Sequence, residues 1–269
     1  MTDLSDQTFC QFKLLFERFT GILLADHKKS TVINRLSSRL SSLELSSFEE
    51  YLTFLHFSEN EQELQMFVDK LTTHETYFYR ESEQFEWLKE YLKLGVASDS
   101  TVSVWSAACA TGEEVFSLAM LLQDVLGSAN WNVFGTDISL LSVQNAQQAK
   151  FKIQNVSRIP SEYRNRYCLK GVGKYEGYFT FSKEIKERCF FSQESLLEPN
   201  DQSGSNYDIV FLRNVLIYFT PLKQKQIVQY VIDKIQLGGL LFLGHSENIV
   251  KDHRQLEQLE GCIFRKVSL

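Results

Sequence analysis

The chain has 269 residues, of which 43% are hydrophobic and 23% are charged, and these fractions exclude a disordered or collagen-like protein. Its net charge of −6 disfavours a protein that coats nucleic acid or anionic lipid across its whole surface. The length allows one large domain or two modest ones, each with a sizeable core.

The first 94 residues are predicted to form a nearly unbroken series of helices. No glycine occurs between Gly21 and Gly95, and the first proline is Pro160. A capping box, Ser47-x-x-Glu50, marks the start of one helix.

A half-buried helix with a basic rim is predicted over residues 28–43. Its apolar residues share one helical face, and three basic residues lie together beside that face. They are Val32, Leu36, Leu40 and Leu43 on the face, with Lys28, Arg35 and Arg39 beside it.

After Gly95, short apolar runs rich in β-forming residues alternate with helical patterns. The strands are predicted over 102–108, 131–136, 207–212 and 240–245, and helices over 113–126, 139–150 and 221–235 follow the first three. Such alternation indicates a doubly wound α/β fold with a parallel sheet covered on both faces. Residues 151–191, with three glycines within 171–177, are predicted to form a small β-rich insertion.

The loop after the first strand, SAACATGEE over 106–114, is the first candidate ligand site, because ligands bind beyond the carboxyl ends of such strands. The dinucleotide fingerprint GxGxxG is absent. A pyrophosphate favours a helix start without anions, so Glu113 and Glu114 suit a cationic or hydroxyl-bearing ligand better. The alternative is that these two carboxylates only favour the helix dipole.

Asp137 ends the second strand, where an acidic residue typically accepts hydrogen bonds from ribose hydroxyls. The alternative is a helix N-cap. Together with the first loop, the nucleoside interpretation is favoured. A nucleoside with a positive centre and no phosphates describes S-adenosylmethionine.

Two later strand ends also carry polar residues. Arg213 and Asn214 follow the third strand, where Asn214 could bind a ligand and Tyr218 could present a hydroxyl, or Tyr218 could be a core residue with a satisfied hydroxyl. The segment GHSEN over 244–248 cannot form a hydrolase triad, since neighbouring side chains of an extended segment diverge. We expect it to cap a strand end.

The spacing of the cysteines and histidines predicts no metal site. The lengths of the apolar runs predict no membrane insertion, and we expect a cytoplasmic location. The five cysteines form no CxxC pair, and the five histidines have no metal-ligand spacing. No apolar run reaches the roughly eighteen residues of a membrane helix, and the start of the chain has no secretory pattern.

Five segments that occur in series make the resemblance of this sequence to one protein family highly specific. They are THETYFYRESEQF (73–85), WSAACATGEEVFSLAM (105–120), GTDIS (135–139), LRNVLIYF (212–219) and GGLLFLGHSENI (238–249). In order and spacing they resemble the CheR family, the chemotaxis receptor methyltransferases that use S-adenosylmethionine. The resemblance implies an all-α N-terminal domain over 1–72, a linker helix over 73–94 that contributes to the cofactor site, and a methyltransferase domain over 95–269 with the β-rich insertion at about 151–191.

The resemblance also implies roles for individual residues. Two catalytic residues are implied near the transferred methyl group, Arg80 and Tyr218. The implied cofactor contacts are His74, Thr76, Arg80, Glu114, Asp137, Ser195, Leu196, Asn214 and Val215. The implied receptor contacts are Lys28, Lys29, Arg35, Arg39, Lys170, Gly171 and Gly173.

The implied activity is methyl transfer from S-adenosylmethionine to glutamate side chains of chemoreceptor cytoplasmic helices, for sensory adaptation. The products are glutamyl methyl esters and S-adenosylhomocysteine. A receptor C-terminal peptide is a second implied partner, nucleic acid is not expected, and we expect a monomer. Two alternatives stay open: a module that binds the nucleoside without turnover, and an NAD-linked oxidoreductase, which the missing glycines disfavour.

Overall fold

The computed structural model describes residues 3–57, 61–95, 101–127, 130–199, 206–247, 249–250 and 253–269. The chain divides into two compact units. The helical unit comprises Met1–Thr73 and Tyr218–Lys223, and the sheet unit comprises His74–Ile217 and Gln224–Leu269.

The helical unit packs its helices around aromatic rings. Its helices are α1 (Asp6–Thr20), α2 (Lys29–Ser42), α3 (Phe48–His56) and α4 (Glu61–Leu71). The Phe12 ring lies 5.7 Å from that of Phe67 and 6.1 Å from that of Tyr51. On α2 the predicted apolar face is confirmed, because Val32 and Leu36 are fully buried and so is nearly all of Leu40.

The predicted cap of α3 forms in part. Ser47 Oγ accepts the Glu50 N–H at 3.1 Å, as a capping serine does. The Glu50 carboxylate, however, accepts the N–H of Ser46 at 2.8 Å, so the box closes one residue earlier than in the standard motif.

A seven-stranded sheet forms the centre of the sheet unit and confirms the doubly wound fold. Its strands are β1 (Val102–Ala107), β2 (Trp131–Asp137), β6 (Cys189–Gln193), β7 (Tyr207–Leu212), β8 (Ile235–Leu243), β9 (Leu256–Glu260) and β10 (Ile263–Lys266). Their order is β6-β2-β1-β7-β8-β10-β9, with β10 antiparallel to both neighbours and the first five parallel. Along the chain, β2 and then β6 are added on one side of β1, and β7 and then β8 are added on its other side. The switch point therefore lies between β1 and β7.

Helices cover both faces of this sheet. In the sheet unit the remaining helices are α5 (Ser82–Lys93), α6 (Glu113–Leu126), α7 (Leu140–Gln148), α8 (Ser161–Tyr167) and α9 (Lys183–Lys186), and α10 (Pro221–Lys234) continues into it from the helical unit. Phe85 of α5 packs against Phe211 at 5.7 Å, whereas Tyr230 of α10 packs against Trp105 at 6.1 Å. Trp105 is in register with Val210, the neighbour of Phe211, so these contacts lie on opposite faces.

The predicted insertion is a small antiparallel sheet of order β3-β5-β4 with short helices around it. Its strands are β3 (Phe151–Lys152), β4 (Cys168–Lys170) and β5 (Tyr178–Phe181). Stacking of Phe181 on Phe116 of α6, at 4.5 Å, packs this sheet on the core. The strand expected near 188–191 does not belong to the insertion, because β6 pairs in parallel with β2 at the edge of the main sheet.

The predicted linker helix is also shorter than expected. Helical conformation begins at Ser82, and residues 78–81 form turns. Tyr79 and Glu81 adopt left-handed backbone conformations, with φ of 55° and 57°, and such residues interrupt a right-handed helix. In the part of the chain that the structure describes, no helix is both long and apolar enough to cross a membrane.

Replacing Gly135 of β2 by alanine tests the packing between the sheet and α6. A Cβ there would lie 2.8 Å from Val115 Cγ2 and 2.9 Å from Cys109 Sγ, so we expect a loss of about 1–3 kcal/mol in the free energy of unfolding. Urea denaturation measures it, with exposed Gln144→Ala as a control that changes by less than about 0.5 kcal/mol. A Gly135→Ala protein as stable as wild type would contradict the packing described.

Candidate functional site

Four loops follow parallel strands at the same edge of the sheet and build the candidate site. They come after β1, β2, β7 and β8, which are neighbours in the sheet. Within the described residues, four of the eight non-glycine residues with positive φ lie in or next to these loops: Glu81, Ala108, Ala110 and Asn214. Strained backbone of this kind concentrates at functional sites.

Asp137 connects the first two loops. Its Oδ2 accepts the Ala110 N–H and its Oδ1 accepts the Ser139 N–H, both at 2.9 Å. It is not the N-cap of α7, because Ser139 Oγ accepts the Ser142 N–H at that helix start. The buried Asp137 carboxylate therefore holds the loop after β1 at the end of β2.

The two glutamates at the start of α6 have different surroundings. Thr111 Oγ1 donates to Glu113 Oε2 at 2.6 Å. Ser106 Oγ donates to Glu114 Oε1 at 2.7 Å, and Glu114 Oε2 lies 3.4 Å from Arg213 Nε. Burial raises the pKa of both carboxyls, and for Glu114 the charge of Arg213 opposes that shift.

Arg213 is the buried cation of the site. Only 1% of its side chain is exposed. Its Nη1 donates to Gln84 Oε1 at 3.2 Å, its Nη2 donates to the Arg80 carbonyl, and Glu81 Oε2 lies 3.7 Å from Nη2. The sequence analysis predicted Arg213 only as a polar residue at a strand end. A charged residue directly after a buried strand was the available signal, since a buried charge requires partners.

Asn214 and Glu81 extend this set of contacts. Asn214 Nδ2 donates to Glu81 Oε1 at 3.1 Å. Among the described residues, Glu81 Oε2 is buried and accepts no hydrogen bond, although His245 Nε2 lies 3.9 Å away. The side chain of Glu81 thus offers a buried acceptor at this edge, which sequence reasoning missed.

Glu247 confirms that the GHSEN segment caps strand ends. Its Oε2 accepts the N–H groups of Gly244, at 2.8 Å, and Asn214, at 2.9 Å. Its Oε1 accepts those of Val215, at 2.8 Å, and Leu216, at 2.7 Å. One carboxylate therefore joins the loops after β7 and β8.

The remaining predicted cofactor residues lie in two segments. The Glu194 N–H donates to the Asp137 carbonyl at 3.0 Å, which places the segment with Ser195 and Leu196 beside the end of β2. Ser195 Oγ accepts the N–H groups of residues 197 and 198 at 3.3 Å. His74 and Thr76 are half-buried and precede the turn that carries Arg80.

The two predicted catalytic residues belong to different units. Arg80 is half-buried in the sheet unit, where its Nη1 donates to the Glu75 carbonyl at 2.8 Å. Tyr218 belongs to the helical unit, where its carbonyl accepts the Leu23 N–H at 2.9 Å.

The predicted basic rim on α2 is smaller than expected. Arg35 Nη1 donates to three carbonyls at the end of α4, those of Lys70, Leu71 and Thr72, at 2.8–3.2 Å. Arg39 forms a bidentate pair with Glu63, at 2.9 and 2.5 Å. These two arginines stabilise the helical unit, because unsatisfied carbonyls and a buried carboxylate need such donors.

The other two basic residues predicted as receptor contacts on this helix lie at the start of α2. Lys29 pairs with Asp6 at 2.6 Å, and Lys28 is exposed. The rim that sequence periodicity predicts is thus reduced mainly to this end of the helix.

The predicted receptor-peptide loop follows β4, an edge strand of the small sheet. The Gly171 N–H donates to the Tyr178 carbonyl at 2.9 Å, and a Cβ on Gly171 would lie 2.1 Å from the Tyr175 carbonyl oxygen. Gly173 is left-handed with φ of 59°, and Lys170 at the end of β4 is exposed. Only glycine fits the close approach at position 171.

The polar groups at this edge fit S-adenosylmethionine. Glu81, Glu114 and Asp137 provide carboxylate acceptors, and Glu81 Oε2 has no donor among the described groups. A cationic ligand with hydroxyl and ammonium donors complements such a set, whereas a pyrophosphate would be repelled. No group of three His, Cys, Asp or Glu in the described ranges could hold a metal ion.

Replacing Arg213 by methionine tests its role as the buried counter-charge. Glu81 and Glu114 would lose their cation, so we expect the free energy of unfolding at neutral pH to fall by about 3–5 kcal/mol. Arg265→Met is the matched control, since its pair with Glu257 spans 3.9 Å at the surface, and it should change stability by less than about 1 kcal/mol. Equal losses in the two variants would refute the assignment.

Comparison with known proteins identifies the family. The model described as "CheR methyltransferase, SAM binding domain" matches residues 74–264, and that described as "CheR methyltransferase, all-alpha domain" matches residues 7–72. The chain is 37% identical to a chemotaxis protein methyltransferase of Salmonella typhimurium and 36% identical to one of Escherichia coli, in each case over 91% of this chain and 85% of the relative. It is 35% identical to chemotaxis protein methyltransferase 2 of Pseudomonas aeruginosa, over 91% and 87%. The chain therefore belongs to the CheR family of S-adenosylmethionine-dependent methyltransferases.

Proposed function

We propose that the protein methylates glutamate side chains in the cytoplasmic helices of chemoreceptors and so acts in sensory adaptation. The observation that carries this proposal is the carboxylate-lined edge of Glu81, Glu114 and Asp137, which lies within the part of the chain that matches the SAM-binding model. The curated relatives are named chemotaxis protein methyltransferases, which supports a chemoreceptor substrate.

S-adenosylmethionine supplies the methyl group on a positively charged sulfur. In this proposal Asp137 binds the ribose hydroxyls, and Ser195 and Leu196 lie near the adenine. The Glu114 carboxylate attracts the positive charge of the ligand, because it is a negative group that is largely removed from water. The further proposed contacts are His74, Thr76, Arg80, Asn214 and Val215.

The proposed reaction needs no general base. A glutamate side chain has a pKa near 4.3 in water, so the accepting carboxylate is already ionised at neutral pH. Its oxygen forms the new bond to the methyl carbon as the carbon–sulfur bond breaks, and the electron pair stays on the sulfur of S-adenosylhomocysteine. The protein contributes alignment, which can supply roughly 7–11 kcal/mol in favourable cases.

Arg80 and Tyr218 are the proposed orienting groups for the incoming carboxylate. A guanidinium has five N–H donors, and the bond to the Glu75 carbonyl engages one nitrogen of Arg80. The remaining donors of Arg80 can bind a carboxylate, and the hydroxyl of Tyr218 is the second proposed donor.

Two surfaces are proposed to contact the receptor. The first is the basic side of α2, with Lys28 and Lys29 at its start and Arg35 and Arg39 further along, where positive charge can attract acidic receptor helices. The second is the edge of β4 with Lys170, Gly171 and Gly173, where an extended receptor C-terminal peptide could add a strand. We further propose that the protein acts in the cytoplasm as a monomer, without nucleic acid.

Methyl transfer to receptor-containing membranes tests the proposed activity. With labelled S-adenosylmethionine we expect a base-labile methyl ester on receptor glutamates, located by mass spectrometry. Arg80→Ala should lower turnover by at least about 100-fold, because a misaligned carboxylate reacts slowly. Arg254→Ala, an exposed arginine outside the site, is the control and should keep normal turnover. Absence of the ester with wild-type protein would refute the function, and normal turnover of Arg80→Ala would remove that residue from the mechanism.

The pH dependence of product binding tests the role of Glu114. Burial raises the pKa of its carboxyl above the ordinary glutamate value, and Arg213 opposes the shift while Glu81 adds to it. The ionised form attracts a cation, so affinity for S-adenosylhomocysteine, which keeps an ammonium group, should fall as pH decreases through that raised pKa. Calorimetry over a pH series that starts at neutral pH and descends measures this loss. Glu114→Gln should bind weakly at neutral pH and lose less affinity on acidification. Parallel curves for the two proteins would contradict the prediction.

A further inference from the structure

Glu247 has a buried carboxylate that the proposed chemistry does not use. The residue is 4% exposed, and all four of its described hydrogen-bond partners are backbone N–H groups. Three of these groups are consecutive, from Asn214 to Leu216, and the fourth belongs to Gly244. We call this arrangement the Glu247 clasp.

The three consecutive N–H groups form an anion-binding concavity. Asn214 is left-handed, with φ of 58°, and the chain turns directly after it. Backbone of this form directs successive N–H groups to a common point, which in other proteins binds phosphate. Here a carboxylate of the same chain occupies that point, so the loop after β7 is held in place without any ligand.

The end of β8 packs closely on this loop. A Cβ on Gly244 would lie 2.8 Å from Glu247 Oε2, 2.8 Å from Asn214 Nδ2 and 2.9 Å from the Asn214 nitrogen. The Glu247 N–H donates to the Gly244 carbonyl at 2.9 Å, which closes a tight turn. The carboxylate therefore has little freedom to move away from the N–H groups it binds.

The clasp also orients a side chain. With its backbone held by Glu247, Asn214 directs Nδ2 at Glu81 Oε1, 3.1 Å away. The backbone of Asn214 is thus held by Glu247, which follows β8, and its side chain is held by Glu81, which lies in the turn before α5.

We infer that Glu247 is a positioning residue of the cofactor site, which holds Asn214 and Val215 in their binding conformation through the four hydrogen bonds of the clasp. The inference rests on the proposed function, in which Asn214 and Val215 contact S-adenosylmethionine. In this inference Glu247 acts on cofactor binding only through Asn214 and Val215.

The substitution Glu247→Gln is the sharpest test, because it keeps the size of the side chain. The described partners of the carboxylate are all donors, so the amide NH₂ would face N–H groups and lose their hydrogen bonds. We expect the Kd for S-adenosylhomocysteine and the KM for S-adenosylmethionine to rise about ten-fold. At saturating cofactor, kcat should stay within about three-fold, since the clasp acts through binding. A merely structural role would lower the active fraction and leave Kd and KM unchanged.

Asp208→Asn is the matched control at the opposite end of β7. Asp208 Oδ2 accepts the Ser103 N–H at 2.8 Å, so the same exchange of carboxylate for amide removes a comparable contact in the same unit. Its Kd for S-adenosylhomocysteine should stay within about two-fold of wild type, because residues 213–216 are not touched. Wild-type affinity in Glu247→Gln, or equal losses in both variants, would overturn the inference.

Amide hydrogen exchange of the wild-type protein without ligand provides a second measurement that needs no variant. The N–H groups of Val215 and Leu216 should exchange slowly, because the clasp binds them before any cofactor does. Exchange as fast as in an exposed loop would overturn the clasp, even if Glu247→Gln does not fold. A wild-type protein that fails to bind S-adenosylhomocysteine would refute the proposed function instead, and slow exchange would still support the clasp.

Discussion

The burial of one guanidinium, that of Arg213, is the constraint on which the site depends. An unpaired charge in this environment would cost several kcal/mol, so its neighbours must supply compensating groups. Glu81 comes from the turn before α5, Gln84 comes from the first turn of α5, and Glu114 comes from the first turn of α6. Two segments that are distant from β7 in sequence are thereby brought to the end of that strand. Because the nearby carboxylates outnumber this buried cation, the edge favours a positively charged ligand.

Backbone conformation supports the same edge. Left-handed alanines at 108 and 110, and a left-handed Asn214, cost conformational energy that the surrounding hydrogen bonds must repay. Asp137 holds the first of these loops, and Glu247 holds the last. Both use a carboxylate to bind backbone N–H groups, which leaves the strand ends ordered before a ligand arrives.

Topology was predictable from the sequence because it depends on apolar runs and on general rules of sheet architecture. Continuous apolar strands and the loops after them led to Asp137 and Asn214 at one edge, which the parallel order confirms. The partner of each charged side chain was not predictable from the sequence. Arg39 has the spacing of a surface residue, but Glu63, 24 residues later, pairs with it. The turn before α5 was also not predicted. Tyr79 and Glu81 adopt left-handed backbone conformations there, and neither Tyr nor Glu is a residue type that typically does so.

Residues Tyr218–Lys223 group with the N-terminal helices, although they follow β7 in the chain. Lys223 Nζ lies 2.8 Å from Glu17 Oε1 and 3.1 Å from the Gly21 carbonyl, and the Tyr218 carbonyl binds Leu23. The boundary between the units is therefore discontinuous along the polypeptide. In a fragment that begins at residue 74, the stretch with Tyr218 would therefore lose the neighbours that anchor it.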